Sequence, residues 1–382
     1  MNSFSTIVSE ATSTQWNDWR WQLKNAARSV EDLKTWGFVD RLASQDLLTP
    51  QALFNQKLTE RYKTLITPYY LSLIDQNDPL CPIKKQAIPH LDELLETQGE
   101  LTDPIGDQAH SPHPMLVHRY PDRALLFPTF ECPMYCRYCF RKETLNESKI
   151  KLHQDLPKAL SYIRSQEQLE EIILSGGDPL MLSTAKLTKL FIGLKQAGVS
   201  RLRMHSRMLV TLPQRITSDL LQLFNEYQED LNLKLITHFN HPQELSPETK
   251  KATKALLSTG LRIFNQSVLL KDVNNTPQIL AQLSKGLDQL GITPYYLHHT
   301  DLTRGTQHFR CSIDEGIRIY QALRGQISGY LIPRYVIEIP RGGGKVEVTS
   351  HAVRKGKQEG EWILTSPLDF KDYDYKDLAH KS

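Results

Sequence analysis

From about residue 124 to residue 340, short apolar runs alternate with longer segments whose apolar residues recur at helical spacing. The runs predict strands at Ala124–Phe130, Glu171–Leu174, Arg201–His205, Leu233–Thr237, Arg262–Val268 and Pro294–His298, with Arg334–Ile339 as a late extra strand. Helices are expected between them, and their ends carry recognisable caps. The one near 246–259 opens with Ser246, Pro247 and Glu248 and stops at Gly260, because Ser accepts from free N–H groups, Pro fits the first turn and Gly tolerates a left-handed exit. Thr276, Pro277 and Gly291 repeat that grammar, and Ser312 with Glu315 has capping-box spacing ahead of a helix ending at Gly325. Six strand–helix units in series imply an α/β fold of parallel strands joined by right-handed crossovers, either a closed or partial (β/α) barrel or a doubly wound sheet. Ligands then gather at the C-terminal ends of the strands.

The flanks read differently. Residues 1–112 contain helical pieces such as Thr14–Ser29 and Pro89–Thr97, and the stretch Leu101–Pro114, rich in Pro, Gly and Asp, marks a boundary. This gives an N-terminal helical region at 1–112, a barrel core at 113–340 and a C-terminal extension at 341–382, whose polar tail after Val346 has no readable pattern. With 46 Lys plus Arg against 43 Asp plus Glu, the net charge of +3 demands neither a nucleic-acid nor a membrane partner and favours small-molecule chemistry. The chain has no run of about 18 apolar residues and no basic-then-apolar leader, so a soluble cytoplasmic protein is expected.

Cys132, Cys136 and Cys139 stand in the spacing CxxxCxxC on the loop that leaves the first barrel strand, unlike a secreted disulfide framework. Three thiolates can ligate three irons of a 4Fe–4S cluster and leave the fourth open, and an open iron suits chelation of S-adenosylmethionine. Zinc is the alternative, but it ordinarily wants a fourth Cys or His at short spacing. Cys81 and Cys311 are distant, and His110, His113 and His118 have no matched pair. After the second strand, Ser175, Gly176, Gly177 and Asp178 form either a close-approach loop for a ligand or an ordinary glycine turn. Gly342, Gly343 and Gly344 precede Lys345, giving a flexible approach for an amine; Val346 stands where a phosphate-binding Walker loop would have Ser or Thr.

With the cysteine motif, the segments HRYPDRALL, SGGDPL, THFNHP, NQSVLL, PYYLHHTDL, ALRGQISGY and IPRGGGK, in that order between Pro114 and Lys345, resemble the lysine 2,3-aminomutase family of the radical SAM superfamily. The resemblance implies a partial parallel (β/α)6 barrel and three cofactors, namely the 4Fe–4S cluster, S-adenosylmethionine and pyridoxal 5′-phosphate. It implies S-adenosylmethionine contacts at Ser175, Gly176, Gly177, Asp178, His238 and Gln266. It makes Lys345 the lysine that forms a Schiff base with pyridoxal phosphate, cradled by Arg119, Tyr120 and Arg123. Arg141 matches the position that grips the substrate α-carboxylate, and Asp301 and Glu338 match two acidic positions that receive the distal amine of lysine. The implied reaction is isomerisation, in which the α-amino group of a basic amino acid, L-lysine first, moves to the β-carbon. A reductant such as flavodoxin or ferredoxin and a homo-oligomeric state are also implied.

Three departures stand out. The tail has no cysteine and Thr276 stands where longer lysine enzymes have an internal one, so no zinc is expected. Glu338 replaces Asp, and Arg341 occupies a usual Gly position. Alternatives are therefore a mutase making β-lysine for modification of elongation factor P, a 2,3-aminomutase for arginine or glutamate, and a non-enzymatic scaffold stabilised by an iron–sulfur cluster or zinc.

Overall fold

The computed structural model describes residues 4–39, 61–147 and 150–379. Among them, nine strands form one sheet in strict chain order: β1 (Leu116–Tyr120), β2 (Arg123–Thr129), β3 (Glu171–Gly176), β4 (Arg201–His205), β5 (Lys234–Thr237), β6 (Arg262–Val268), β7 (Ile292–His298), β8 (Arg334–Ile339) and β9 (Gly344–Glu347). Strands β2 to β8 run parallel, while β1 and β9 are antiparallel edges. Six helices make the crossovers: Leu152–Arg164, Thr184–Gln196, Ser218–Tyr227, Pro247–Leu257, Pro277–Gln289 and Ile313–Leu323. This is the expected partial (β/α)6 barrel. The sheet curls enough for the Arg119 side chain on β1 to reach within 3.9 Å of Glu338 on β8.

The caps explain where the crossovers begin. Ser246 accepts from Thr249 N–H at 3.1 Å and Thr276 from Ile279 N–H at 3.3 Å, each one residue before Pro. The box at Ser312 is only half formed. Its hydroxyl accepts from Glu315 N–H at 3.1 Å, but the Glu315 carboxylate turns to Asn275 Nδ2 at 3.0 Å and holds the neighbouring crossover instead. In that helix Gly316 is required by packing, because a Cβ there would lie 1.9 Å from Tyr335 Oη.

The N-terminal region is less helical than its sequence suggests. In place of Thr14–Ser29 stand two short helices, Ser13–Trp16 and Trp19–Lys24; Asp18 caps the second through Arg20 N–H at 2.9 Å, and the chain then pairs Ala27 with Ile66. Pro89–Thr97 reduces to one turn, Leu91–Leu94: His90 N–H donates to Glu93 Oε1 at 2.8 Å, Asp92 N–H donates to His90 Nδ1 at 3.2 Å, and the chain leaves in extended form at Leu95. These pieces share one apolar core with the barrel, in which Leu33, Tyr70 and Ile83 pack with Leu174, Phe191 and Leu235. The tail folds as a second antiparallel sheet of β10 (Val353–Lys355), β11 (Glu361–Thr365) and β12 (Asp372–Lys376). Val353, Trp362 and Leu364 from it bury against Ile337, Ile339 and Val346, so the hairpin β8–β9 runs across the expected division at 340/341. Among the described residues, no helix is long and apolar enough to cross a membrane.

Candidate active site

The C-terminal ends of the parallel strands carry the chemistry-bearing side chains. The loop after β2 bears Cys132, Cys136 and Cys139, all half-buried, and is braced by the loop after β3. Gly177 N–H donates to Thr129 O at 2.9 Å and Asp178 N–H to Glu131 O at 2.8 Å. Gly176 has φ +102°, and a Cβ on Gly177 would lie 2.3 Å from Glu131 O. The two glycines thus let one backbone press against the cysteine loop, a local reason for them beside the expected approach to a ligand. The Asp178 carboxylate is buried and taken up by Ser206 Oγ at 2.8 Å, Leu180 N–H at 3.0 Å and Arg207 N–H at 2.8 Å. Burial pushes its pKa up to about 6 against those donors.

The three thiols feel one another. Burial pushes Cys132 well up, and Asp178, Cys139 and Cys136 add to it; Cys139 rises to about 11, by burial first and then by Cys136. Among the described residues, no group of three or more His, Cys, Asp or Glu side chains converges on a single ion. Three thiols on one loop, close enough to raise one another's pKa, offer one thiolate to each of three irons. Arg207 donates from Nη1 to Cys136 Sγ at 2.8 Å.

His238, after β5, stacks on Tyr138 with ring centroids 5.7 Å apart, and its Nε2 meets Tyr138 Oη at 2.8 Å. Burial first and then Arg207 lower its pKa to about 3, so it is neutral. Gln266 lies on β6, beside a break in register with β7. Ser175 stands one residue before the end of β3, and its hydroxyl accepts from Arg141 Nη1 at 3.3 Å.

Lys345 stands on β9 directly opposite Glu338 on β8. Its Nζ lies 2.8 Å from Glu338 Oε1, 3.4 Å from His298 Nδ1 and 5.0 Å from the centre of the Tyr296 ring. His298 is kept neutral, its pKa pushed well down by burial and then by the Lys345 charge. Asp301 rises to about 7 through burial and then through Glu338, which places the two carboxylates in one electrostatic neighbourhood. Arg141 holds Asp107 at 3.0 Å, and Arg119 lies 3.6 Å from Asp107 while donating to Ile105 O. Tyr120 and Arg123 stay together at the β1–β2 turn, with the guanidinium 3.7 Å over the ring and paired to Asp122 at 2.7 Å. Several buried atoms here have no hydrogen-bond partner: Glu338 Oε2, Asp107 Oδ1, Arg119 Nε and His205 Nε2. Orphaned donors and acceptors of both signs suit a site that takes a zwitterionic substrate and an anionic cofactor.

Arg207, Asp107, His205 and His298 are the residues that sequence reasoning missed. Asp107 lies in the stretch read as a boundary, and only the PYYLHHTDL segment offered a signal for His298.

Comparison with known proteins gives the family. The model of a 4Fe-4S single cluster domain matches residues 122–225, which include the three cysteines, the glycine pair and Arg207. The chain is 40% identical to an L-lysine 2,3-aminomutase of Fusobacterium nucleatum over 350 residues, 91% of this chain and 80% of that one. It belongs to the lysine 2,3-aminomutase family. An L-lysine 2,3-aminomutase of Clostridium subterminale is 39% identical over 91% of this chain and 81% of its own length. A glutamate 2,3-aminomutase of Clostridioides difficile is 34% identical over 91% of this chain and 81% of its own. As a lysine 2,3-aminomutase family member the chain is a radical SAM aminomutase, an isomerase that works with a 4Fe–4S cluster, S-adenosylmethionine and pyridoxal phosphate.

Proposed function

We propose that this aminomutase acts on a basic amino acid, L-lysine, moving its α-amino group to the β-carbon. The observation that carries the choice is the acidic corner beside Lys345, where Asp301 and Glu338 lie close enough to raise a carboxyl pKa and Glu338 Oε2, 3.9 Å from Arg119 Nη1, is buried with no hydrogen bond. Two carboxylates in one dry corner pair a distal ammonium and repel a distal carboxylate, which argues against glutamate.

The cysteines at 132, 136 and 139 would hold the cluster, and Ser175, Gly176, Gly177, His238 and Gln266 would line the place of S-adenosylmethionine, with Asp178 fixing that loop. Lys345 would bind pyridoxal phosphate, with Arg119, Tyr120 and Arg123 toward its phosphate; Arg119 Nε is a buried donor in need of an acceptor. When bound, the cluster with S-adenosylmethionine supplies one-electron hydrogen abstraction, and pyridoxal phosphate supplies the conjugated carbonyl that carries the migrating nitrogen. The chain's own residues position and exclude. Arg141 takes the α-carboxylate, Asp301 and Glu338 take the distal ammonium, and neutral His298 Nδ1, 3.4 Å from Lys345 Nζ, accepts a hydrogen bond that orients the amine. A low-potential protein such as flavodoxin or ferredoxin supplies the electron.

The test is anaerobic turnover of lysine, arginine, glutamate and alanine by wild type, Asp301→Asn and Glu338→Gln. Losing one charge-assisted contact of roughly 1.5–3 kcal/mol lowers kcat/KM on lysine about ten- to a hundredfold. Wild type preferring glutamate, or variants that treat lysine as wild type does, would contradict the assignment.

A further inference from the structure

We propose that Arg207 sets the reduction potential of the iron–sulfur cluster through its hydrogen bond to the Cys136 sulfur, with Glu244 as the fixed counter-charge. The inference rests on the reading that Cys132, Cys136 and Cys139 hold that cluster.

Arg207 is held independently of the cysteine. It follows β4, is 8% exposed, and its backbone N–H is fixed by Asp178. Nε donates to His238 O at 3.2 Å; Nη2 reaches Glu244 Oε1 at 2.6 Å, Gln86 Oε1 at 2.8 Å and Tyr70 Oη at 3.2 Å. Glu244 is equally constrained, because Oε1 also accepts from Tyr70 Oη at 2.9 Å and Oε2 from Asn240 N–H at 2.7 Å. With the far side of the guanidinium anchored by three side chains, Nη1 is left aimed at Cys136 Sγ, 2.8 Å away. A planar fork is suited to this double duty, since one face of it is pinned while the other presents a preorganised donor.

One-electron reduction adds negative charge to a cluster and to the thiolates that hold it. A donor already pointing at a ligand sulfur stabilises the reduced form, and hydrogen bonds to sulfur are among the levers that tune such potentials. The Glu244 carboxylate works the other way, by cancelling part of the guanidinium charge. Arg207 is therefore a positioning residue whose effect is read in the potential and not only in cluster retention.

The experiment is an anaerobic redox titration of the reconstituted full chain with dithionite and mediators, followed by electron paramagnetic resonance and visible absorbance, with iron counted for each sample. Wild type, Arg207→Lys and Glu244→Gln are compared. A lysine ammonium remains with Glu244 and does not span to the sulfur, so Arg207→Lys shifts the midpoint to more negative potential. Glu244→Gln uncovers the guanidinium charge and shifts it to more positive potential, both variants keeping wild-type iron. Shifts of the same sign, or none, overturn the proposal. If Arg207→Lys does not fold, Glu244→Gln decides alone, a positive shift supporting and any other result overturning. Failure of both variants to load iron also overturns it, because the pair would then be purely structural. Wild type without a cluster signal, or Cys136→Ala with undiminished iron, would instead strike the underlying cysteine assignment.

Discussion

Asp301 carries a penalty in the cofactor-free protein that its proposed role explains. Its pKa stands at about 7, above the ordinary 3.8, because burial and then Glu338 disfavour the charged form. The folded state therefore prefers Asp301 protonated, and the resulting stability is full below about pH 4 and lost as pH rises through about 7. Asp301→Asn removes that slope. Urea denaturation of cofactor-free protein at pH 5 and pH 8 should show the variant more stable than wild type at pH 8, by an amount on the order of a few kcal/mol, and much closer to it at pH 5. A constant difference between the two pH values would count against the buried, charge-crowded environment. The candidate residues near Lys345 were legible because each sits in a short motif whose order resembles a family. Arg207 and Asp107 were not, because their partners come from elsewhere in the chain: Tyr70, Gln86 and Glu244 for one, Arg119 and Arg141 for the other. An arginine in HSRML has nothing local to distinguish it from a surface charge.

At the scale of elements, the loop after β2 depends on the loop after β3 for its shape. A methyl group on Gly177 would strike the Glu131 carbonyl at 2.3 Å, and backbone on both sides leaves little room to give way. Gly177→Ala should cost about 1–3 kcal/mol and lower the iron held after reconstitution. The cysteine variants calibrate that reading: Cys132→Ala, Cys136→Ala and Cys139→Ala should each abolish cluster formation, while Cys81→Ala and Cys311→Ala, at buried thiols outside the loop, should keep iron near wild type. Equal losses at all five positions would refute the assignment. The parallel strands and their crossovers were legible because apolar runs and N-caps agreed with each other, as at Ser246 and Thr276. The β1–β2 hairpin was half hidden: β1 is a five-residue edge strand, and its HRY segment drew attention as charge. The tail strands were hidden too, since β10 has three residues and β12 reads DYDYK, with only Tyr375 buried.

Across the whole molecule, the N-terminal region clasps the barrel through Glu93. This buried carboxylate meets Arg137 Nη2 at 2.5 Å and Lys142 Nζ at 2.8 Å, both from the cysteine loop and the helix after it. Burial opposes its ionisation, but Arg137 and Lys142 more than offset that and bring its pKa down to about 2. The stability it confers is present above the ordinary value of 4.5 and is lost as pH falls toward 2. Glu93→Gln leaves two buried cations without a counter-charge and should destabilise the fold by about 3–5 kcal/mol in urea titrations at pH 7, an effect absent if the clasp were solvated. The composition shift over Leu101–Pro114 reads as a boundary and gives no sign of this shared core, because the contacts that build it are long-range. The central step is the movement of nitrogen between neighbouring carbons of a basic amino acid. The direct measurement is anaerobic incubation of the reconstituted protein with L-lysine carrying 15N at the α-amino group and uniform 13C, read by nuclear magnetic resonance. One-bond 15N coupling to the β-carbon in the product is expected; 15N that stays on the α-carbon, under conditions where the same protein isomerises glutamate, would contradict a basic substrate.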